Sequence, residues 1–339
     1  MADKMRALIL TEFGGPDVLR VKETEKPVPA PDEVLIRVKA AGVGYGDLIL
    51  RNLKNLPSER FYMPGIFRPL TRLMVGFSKP KKKILGSQFS GVVEGSGERV
   101  SKFNIGDEVF GYTEIEGGSY AEYICRKEGS LIALKPANLS HEEASALPYG
   151  ALTAWKALQK IDIESPDTSG KNILVNGASG SIGSYCVQLL KLYGARVTGV
   201  AGPSGQEYMK ALGADRTLDY TREDFTKSEE TYDVIVDVLG KLKFAAAKKN
   251  LSPGGMHLYL SYKTPRLFSV LGSALFGSKK AKIGMASYKP EDLTRLREFA
   301  ESGKIQSVLD KTFPLEKGAA AHAYMESRGG GKGAVVLMM

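Results

Sequence analysis

A short apolar run, Asn172-Ile-Leu-Val-Asn176, leads straight into Gly177, Gly180 and Gly183, and a helical pattern follows. No other stretch constrains the backbone as tightly. A strand that turns sharply into a helix uses glycine for three purposes: to make the turn, to let backbone approach a ligand without a Cβ in the way, and to pack the helix close on the sheet. The amphipathic segment Ser184 to Tyr193 and the run Ala195-Arg-Val-Thr-Gly-Val200 complete strand, turn, helix and strand within about 30 residues, the length of a βαβ unit. A dinucleotide would sit at such a turn, where free N–H groups and the positive end of the helix dipole face its phosphates. Tyr232-Asp-Val-Ile-Val-Asp237 and Met256-His-Leu-Tyr-Leu260 continue the alternation, so a Rossmann-type α/β domain is expected.

The 339 residues suffice for two domains and a substantial core. With 43% hydrophobic and 25% charged residues and no apolar run of the roughly 18–20 residues a membrane span needs, the composition is that of a soluble globular protein. The start, Met1-Ala-Asp-Lys-Met5-Arg, has no basic and then apolar leader, and a cytoplasmic protein is expected. Two cysteines, Cys125 and Cys186, build no disulfide framework. The net charge of +9 is local, because nine basic residues lie between Arg51 and Lys83 against the single acid Glu59. No groove-reading motif accompanies it, so no specific nucleic-acid partner is expected.

Before residue 125 the chain is rich in short strand-like segments: Arg6–Thr11, Val34–Ala40, Gly91–Glu94, Glu108–Tyr112 and Tyr120–Cys125, the pattern of a small barrel or curled sheet. Ser140-His-Glu-Glu143 is a capping box that starts a helix leading into the βαβ region. Beyond Ser261, Phe268 to Phe276 reads as an apolar helix, Pro290 to Ser302 as another closed by Gly303, and Gly333-Ala-Val-Val-Leu337 as a last strand.

These segments together resemble the medium-chain dehydrogenase/reductase superfamily, in its zinc-free branch of quinone oxidoreductases and zeta-crystallin-like reductases. The resemblance runs over nearly the whole chain and rests on Ala41-Gly-Val-Gly-Tyr-Gly-Asp47, Ile84-Leu-Gly-Ser-Gln-Phe-Ser-Gly-Val-Val-Glu94, Phe103-Asn-Ile-Gly-Asp-Glu-Val-Phe-Gly111, Gly118-Ser-Tyr-Ala-Glu-Tyr123, Leu147-Pro-Tyr-Gly-Ala-Leu-Thr-Ala-Trp155 and Leu212-Gly-Ala-Asp215. It implies a GroES-like β-barrel catalytic domain, a Rossmann doubly wound parallel sheet inserted into it, and an active site in the cleft between them. The expected division is 1–125 for the first part of the catalytic domain, 126–265 for the NAD(P)-binding domain, and 266–339 for the return to the catalytic domain with a dimer strand near Lys282–Met285.

Zinc-dependent members of that superfamily hold their ion with a Cys at the place of Gly44, a His-Glu pair at Ser87-Gln88 and a Cys near Tyr149. None of these ligand types stands here, and His141, His257 and His322 fall in a capping box, a strand and a helix, so no metal is expected. Without a Lewis acid, conjugated acceptors remain feasible, because a quinone or an α,β-unsaturated carbonyl takes hydride into a delocalised system. The resemblance implies a pocket lined by Gly44, Tyr45, Tyr149 and Thr153, with Tyr45 or Tyr149 donating to the acceptor oxygen or simply forming its wall. Many reductases of this branch carry Asn at Gly44 and Tyr at Ile49, so their substrate preference does not carry over. The alternatives are a dinucleotide-binding protein with a regulatory or membrane-contact role, and a reductase of simple aldehydes or ketones.

An NAD enzyme places an Asp or Glu at the end of the second Rossmann strand to bind the ribose hydroxyl. Here the strand ends Val200-Ala-Gly-Pro-Ser-Gly205, with no acid to repel a 2′-phosphate, which favours NADPH and leaves NADH possible. Lys210 and Tyr220 would support Gly202 and Ser204 in holding that phosphate. The resemblance adds Thr153, Gly177, Ser179, Gly180, Ser181, Ile182, Gly183, Leu239, Leu260, Ser261 and Lys332 to the cofactor contacts. It also implies a homodimer and a small hydrophobic substrate. Residues 52–83 exceed the corresponding loop of small quinone reductases and mix Phe61, Tyr62, Phe67 and Phe77 with cations. They read either as a solvated cap over the cleft or as a peripheral contact with an anionic membrane.

Overall fold

The computed structural model describes residues 3–54, 68–261, 264–275, 278–284, 287–328 and 331–339. Strands β1 (Lys4–Leu10) and β2 (Leu19–Glu25) pair as an antiparallel ribbon. Then come β3 (Glu33–Val43), helices α1 (Tyr45–Arg51) and α2 (Arg68–Val75), and strands β4 (Gln88–Ser96), β5 (Glu108–Tyr112), β6 (Tyr123–Lys127) and β7 (Ile132–Leu134). Helices α3 (His141–Ala146) and α4 (Pro148–Leu158) lead into β8 (Asn172–Asn176), α5 (Ser181–Leu192), β9 (Arg196–Ala201), α6 (Gln206–Ala211), β10 (Arg216–Asp219) and β11 (Tyr232–Asp237). The chain ends with α7 (Phe244–Ala247), β12 (Leu251–Tyr259), α8 (Thr264–Leu275), β13 (Lys280–Ile283), α9 (Pro290–Glu301), β14 (Leu309–Pro314), α10 (Gly318–Ser327) and β15 (Ala334–Met338). Among the described residues no helix is long and apolar enough to cross a membrane.

Six parallel strands run β10-β9-β8-β11-β12-β13, the doubly wound order in which connections leave β8 in opposite directions. Helices cover both faces, so the strands are apolar throughout rather than alternating. Ile173, Val175, Val236 and Leu258 pack with Tyr185, Cys186, Leu189 and Leu190 of α5, while Leu174 and Ile235 face a second cluster with Leu218 and Tyr232. The sixth strand, β13, lies past the boundary expected at 265, and Met285 of the expected dimer strand lies outside the described residues, as do Phe61, Tyr62 and Phe67.

A seven-stranded sheet runs β14-β15-β3-β4-β5-β7, with β6 also on β3. Here the strands alternate: Val34, Ile36 and Val38 point into a core with Phe89, Val93 and Val109, whereas Arg37 is exposed. The last two strands rejoin the sheet of the first, β15 lying antiparallel to β3 through Val335–Val43 and Leu337–Ala41. The capping box at α3 is formed: Ser140 Oγ accepts the Glu143 N–H at 3.2 Å and Glu143 accepts the Ser140 N–H at 2.9 Å. The strand expected over Tyr120–Cys125 begins only at Tyr123. Tyr120 instead donates its N–H to Leu85, its carbonyl accepts from Leu8, and its ring is buried.

Candidate functional site

The strand order reverses between β8 and β11, and the loops leaving their carboxyl ends open onto one edge of the parallel sheet. Three glycines shape the turn after β8, each for a different reason. Gly177 has φ +88°, a conformation that L side chains rarely adopt. A Cβ on Gly183 would stand 2.1 Å from the Gly177 carbonyl oxygen, so only glycine lets α5 press on the turn. Gly180 has an ordinary φ of −75°, and a Cβ there would meet nothing nearer than the Gly177 oxygen at 3.6 Å. The fold itself does not require glycine at 180. What the missing Cβ leaves open is the space before the start of α5, where no side chain caps the helix and Ser181, Ile182 and Gly183 form the first turn. That cradle fits a pyrophosphate.

The rest of this edge is organised by Asp237, which accepts from Asn176 Nδ2 at 3.0 Å and from the Gly240 and Leu242 N–H groups at 3.1 and 3.0 Å. Leu239, 41% exposed, leans over Gly177, and Leu260 and Ser261 follow β12 on the same edge, Leu260 donating its N–H to the Asp237 carbonyl. Ser179 is buried against Gly205. At the end of β9, a Cβ on Gly202 would lie 3.2 Å from the Tyr220 hydroxyl, and Gln206 Nε2 pins the loop by donating to the Ala201, Gly202 and Leu218 carbonyls. Ser204 and Tyr220 are exposed beside it. The neighbouring acid, Asp219, is turned into its own turn by Thr221, whose N–H and hydroxyl both donate to it. Lys210 is held in an exposed pair with Glu207 at 2.9 Å. Lys332 is exposed just before β15, in the other sheet.

The start of α4 joins this edge to the barrel. A Cβ on Gly150 would be 2.6 Å from the Ser181 carbonyl oxygen, so glycine allows α4 to seat directly on the first turn of α5. Its neighbour Tyr149 donates its N–H to Gln88 Oε1 at 3.0 Å, and Gln88, 2% exposed, reaches across from β4. A Cβ on Gly44 would lie 3.6 Å from Ser87 Oγ and 3.9 Å from Gln88 Nε2. Gly44, Ser87, Gln88 and Tyr149 thus converge, carrying a hydroxyl, a carboxamide and a phenol. Among the described residues no group of three or more His, Cys, Asp or Glu is gathered as a metal site. His141 instead ties α3 to the barrel, with Nδ1 at 2.8 Å from Ser90 Oγ and Nε2 at 3.2 Å from Glu108. His257 and His322 are fully buried.

Asp47 sets the floor. Buried, it accepts the Gly44 and Gly86 N–H groups at 2.9 and 3.0 Å and the Tyr120 hydroxyl at 3.2 Å, and burial pushes its carboxyl up to about 6 against those bonds. Tyr45, at the start of α1, is 40% exposed. Tyr149 is half-buried, and burial raises its phenol, which therefore keeps its proton at neutral pH. Two tyrosines that sequence reasoning did not single out stand beside it: Tyr112 at 5.9 Å between ring centroids, and Tyr288 at 5.7 Å from Tyr112. The Tyr288 hydroxyl shares a hydrogen bond of 3.0 Å with Thr153 Oγ1. Tyr112 ends a strand adjoining the motif 103–111, whereas nothing in the sequence around Tyr288 points to a pocket.

A profile described as "Alcohol dehydrogenase GroES-like domain" matches residues 30–136, and one described as "Zinc-binding dehydrogenase" matches residues 212–337. The chain is 32% identical to the Bos taurus "NAD(P)H oxidoreductase RTN4IP1, mitochondrial", covering 98% of this chain and 89% of that one. It is also 32% identical to the Solanum lycopersicum "2-methylene-furan-3-one reductase", over 98% of this chain and 79% of the relative. Among solved structures, the quinone oxidoreductase from Coxiella burnetii superposes with a TM-score of 0.84 at 26% identity, covering 99% of this chain and all (100%) of the other.

Proposed function

The chain belongs to the medium-chain dehydrogenase/reductase superfamily, in the quinone-oxidoreductase branch, and is an NAD(P)H-dependent oxidoreductase; from that premise we propose that it transfers hydride from NADPH to a quinone or an α,β-unsaturated carbonyl without zinc. The observation that carries this is the seat of Gly150 on Ser181, which sets the tyrosines at the barrel mouth directly against the glycine cradle. A dihydronicotinamide, when bound, supplies the hydride. The residues converging at Gly44 offer neither imidazole nor thiolate, so their donor set does not suit zinc, and activation of the acceptor falls to hydrogen bonds. Tyr149 retains its proton and Tyr45 is exposed at the mouth; either phenol donates to the oxygen on which charge develops. The loop of Gly202, Ser204 and Tyr220, with Asp219 engaged by Thr221, supports NADPH over NADH.

Anaerobic oxidation of NADPH against quinones, enones, enoyl thioesters and saturated aldehydes tests the reading. Turnover of the first two classes is expected. Turnover of saturated aldehydes alone would assign the third to the substrate, and tight NADPH binding without turnover of any would favour a regulatory dinucleotide-binding protein. We also propose a homodimer through β13, an edge of the parallel sheet. A peripheral membrane contact is proposed at Leu73 and Phe77, 56% and 61% exposed beside Lys79, Lys81 and Lys82.

A further inference from the structure

The proposed reaction leaves open which acceptors the cleft prefers, and three rings bear on it. Tyr112 comes from the end of β5, Tyr149 from the first turn of α4, and Tyr288 from the segment before α9, so both sheets and the connection between them contribute. The Tyr112 and Tyr149 rings are 5.9 Å apart and inclined at 44°, and Tyr112 meets Tyr288 edge-on at 5.7 Å and 80°. Face-to-face contact on both sides of an inserted ring needs about 7–8 Å between the flanking planes, twice a carbon–carbon contact. No ring enters between these. Instead they form one continuous aromatic surface, and all three remain half-buried rather than closed over. Tyr288 is fixed on that surface by its bond to Thr153, one α-helical turn along α4 from Tyr149. The same helix seats on the first turn of α5, so the surface has a set position relative to the glycine cradle.

We propose that Tyr288, with Tyr112, is a specificity-determining residue that makes this cleft select flat, ring-fused acceptors such as naphthoquinones over linear enones, by offering one broad aromatic face to stack on. A linear enone covers only a fraction of such a face, whereas a two-ring quinone covers adjoining rings at once, and aromatic contacts add to simple area burial. Hydride then enters the quinone ring, the electron pair moves to the carbonyl oxygen, and water and the phenols supply the protons that give the hydroquinone. The preference rests on the reductase reading of this site, and the test separates the two.

Steady-state kcat/KM with NADPH is measured for 1,4-naphthoquinone and for 3-penten-2-one in the wild type, Tyr288→Leu and Tyr288→Phe. Leucine keeps an apolar side chain but no ring, and the quinone-to-enone ratio should fall threefold to tenfold. Phenylalanine keeps the ring and should keep the ratio. A ratio in Tyr288→Leu within about twofold of wild type, or an equal fall in both variants, overturns the proposal. If the wild type reduces neither compound, the reductase reading fails, and the surface is tested by calorimetric titration with 2-naphthol, which is flat and accepts no hydride. Weaker binding to Tyr288→Leu than to the wild type then supports the aromatic surface, and equal or absent binding overturns it. Thermal melts of each variant confirm folding, with Tyr112→Leu as the second probe if Tyr288→Leu does not fold.

Discussion

Replacing Gly180 and Gly183 separately should divide ligand binding from folding. At Gly183 a Cβ would stand 2.1 Å from the Gly177 oxygen and 2.7 Å from Ala178 Cα. Both are backbone atoms, and carbon atoms settle at about 3.5–4.0 Å. Gly183→Ala therefore drives the turn and α5 apart and should cost about 1–3 kcal/mol. At Gly180 the nearest atom is 3.6 Å away and φ is −75°, so Gly180→Ala meets neither clash nor strain. Its stability should change by no more than about 1 kcal/mol, part of it a gain from the stiffer unfolded chain. The effect falls on the cradle, where a larger side chain covers the uncapped N–H groups of α5. Each hydrogen bond to a charged partner is worth about 1.5–3 kcal/mol. Gly180→Val, which fills more of the space, should weaken NADPH by about 10- to 150-fold through loss of a single one. Nicotinamide fluorescence titrations give the dissociation constants, and melts of the same samples give stability. A folded Gly180→Val that binds NADPH within threefold of wild type would refute the assignment of this turn to the cofactor.

Gly202→Asp puts an acceptor beside Tyr220 at an ordinary backbone conformation and should move the NADPH-to-NADH ratio of kcat/KM toward NADH by about tenfold, or roughly 1.4 kcal/mol; a wild type that already prefers NADH would show that no phosphate site exists there. Exhaustive dialysis against a chelator should leave turnover unchanged, and a loss that zinc restores would overturn the metal-free reading. His322 is buried beside Arg51, and burial first, then that cation, lowers its pKa from 6.5 to about 3. The unfolded chain therefore takes up a proton that the folded one refuses as pH falls below 6.5, so His322 stabilises least in acid. Asp47, raised to about 6, works in the opposite sense, contributing stability below 3.8 that is lost as pH rises through 6. Comparing urea unfolding at pH 7 and 4.5, His322→Leu should lose about 2–3 kcal/mol less than the wild type; equal losses would mean that His322 titrates normally in the fold.

What could be read from the chain was what is local. Gly177, Gly180 and Gly183 announce a dinucleotide turn because backbone geometry demands glycine within a few bonds of where it is used. Tyr232–Asp237 was legible as a strand because both its faces are covered, and Ser140 because its partner Glu143 is one turn away. The alternation of β3 was likewise visible, since Arg37 marks the exposed side. Tyr120 misled, being aromatic and beside strand-like residues yet spent on Asp47 and on bridging Leu8 and Leu85. Gln88, Tyr112 and Tyr288 escaped notice for a common reason: each acquires its part in the site only by meeting residues far along the chain. Tyr288 reaches Thr153 across 135 positions and Gln88 reaches Tyr149 across 61, separations over which no periodic pattern in the sequence extends.

Strand β15 lies between β14 and β3, and Val335, Val336 and Leu337 are wholly enclosed there. A ribosome making this protein therefore releases β3 first and the strand that completes its sheet last. The parallel sheet, β8 to β13, is contiguous and can assemble while synthesis continues, but the barrel must wait with Val34, Ile36 and Val38 short of their final neighbours until the chain leaves the exit tunnel. During that interval the edge of β3 is open to any other extended segment nearby. Slow synthesis of the last fifty residues should thus expose nascent chains to mispairing, and chaperone demand should track the time between emergence of β7 and of β15 rather than total length.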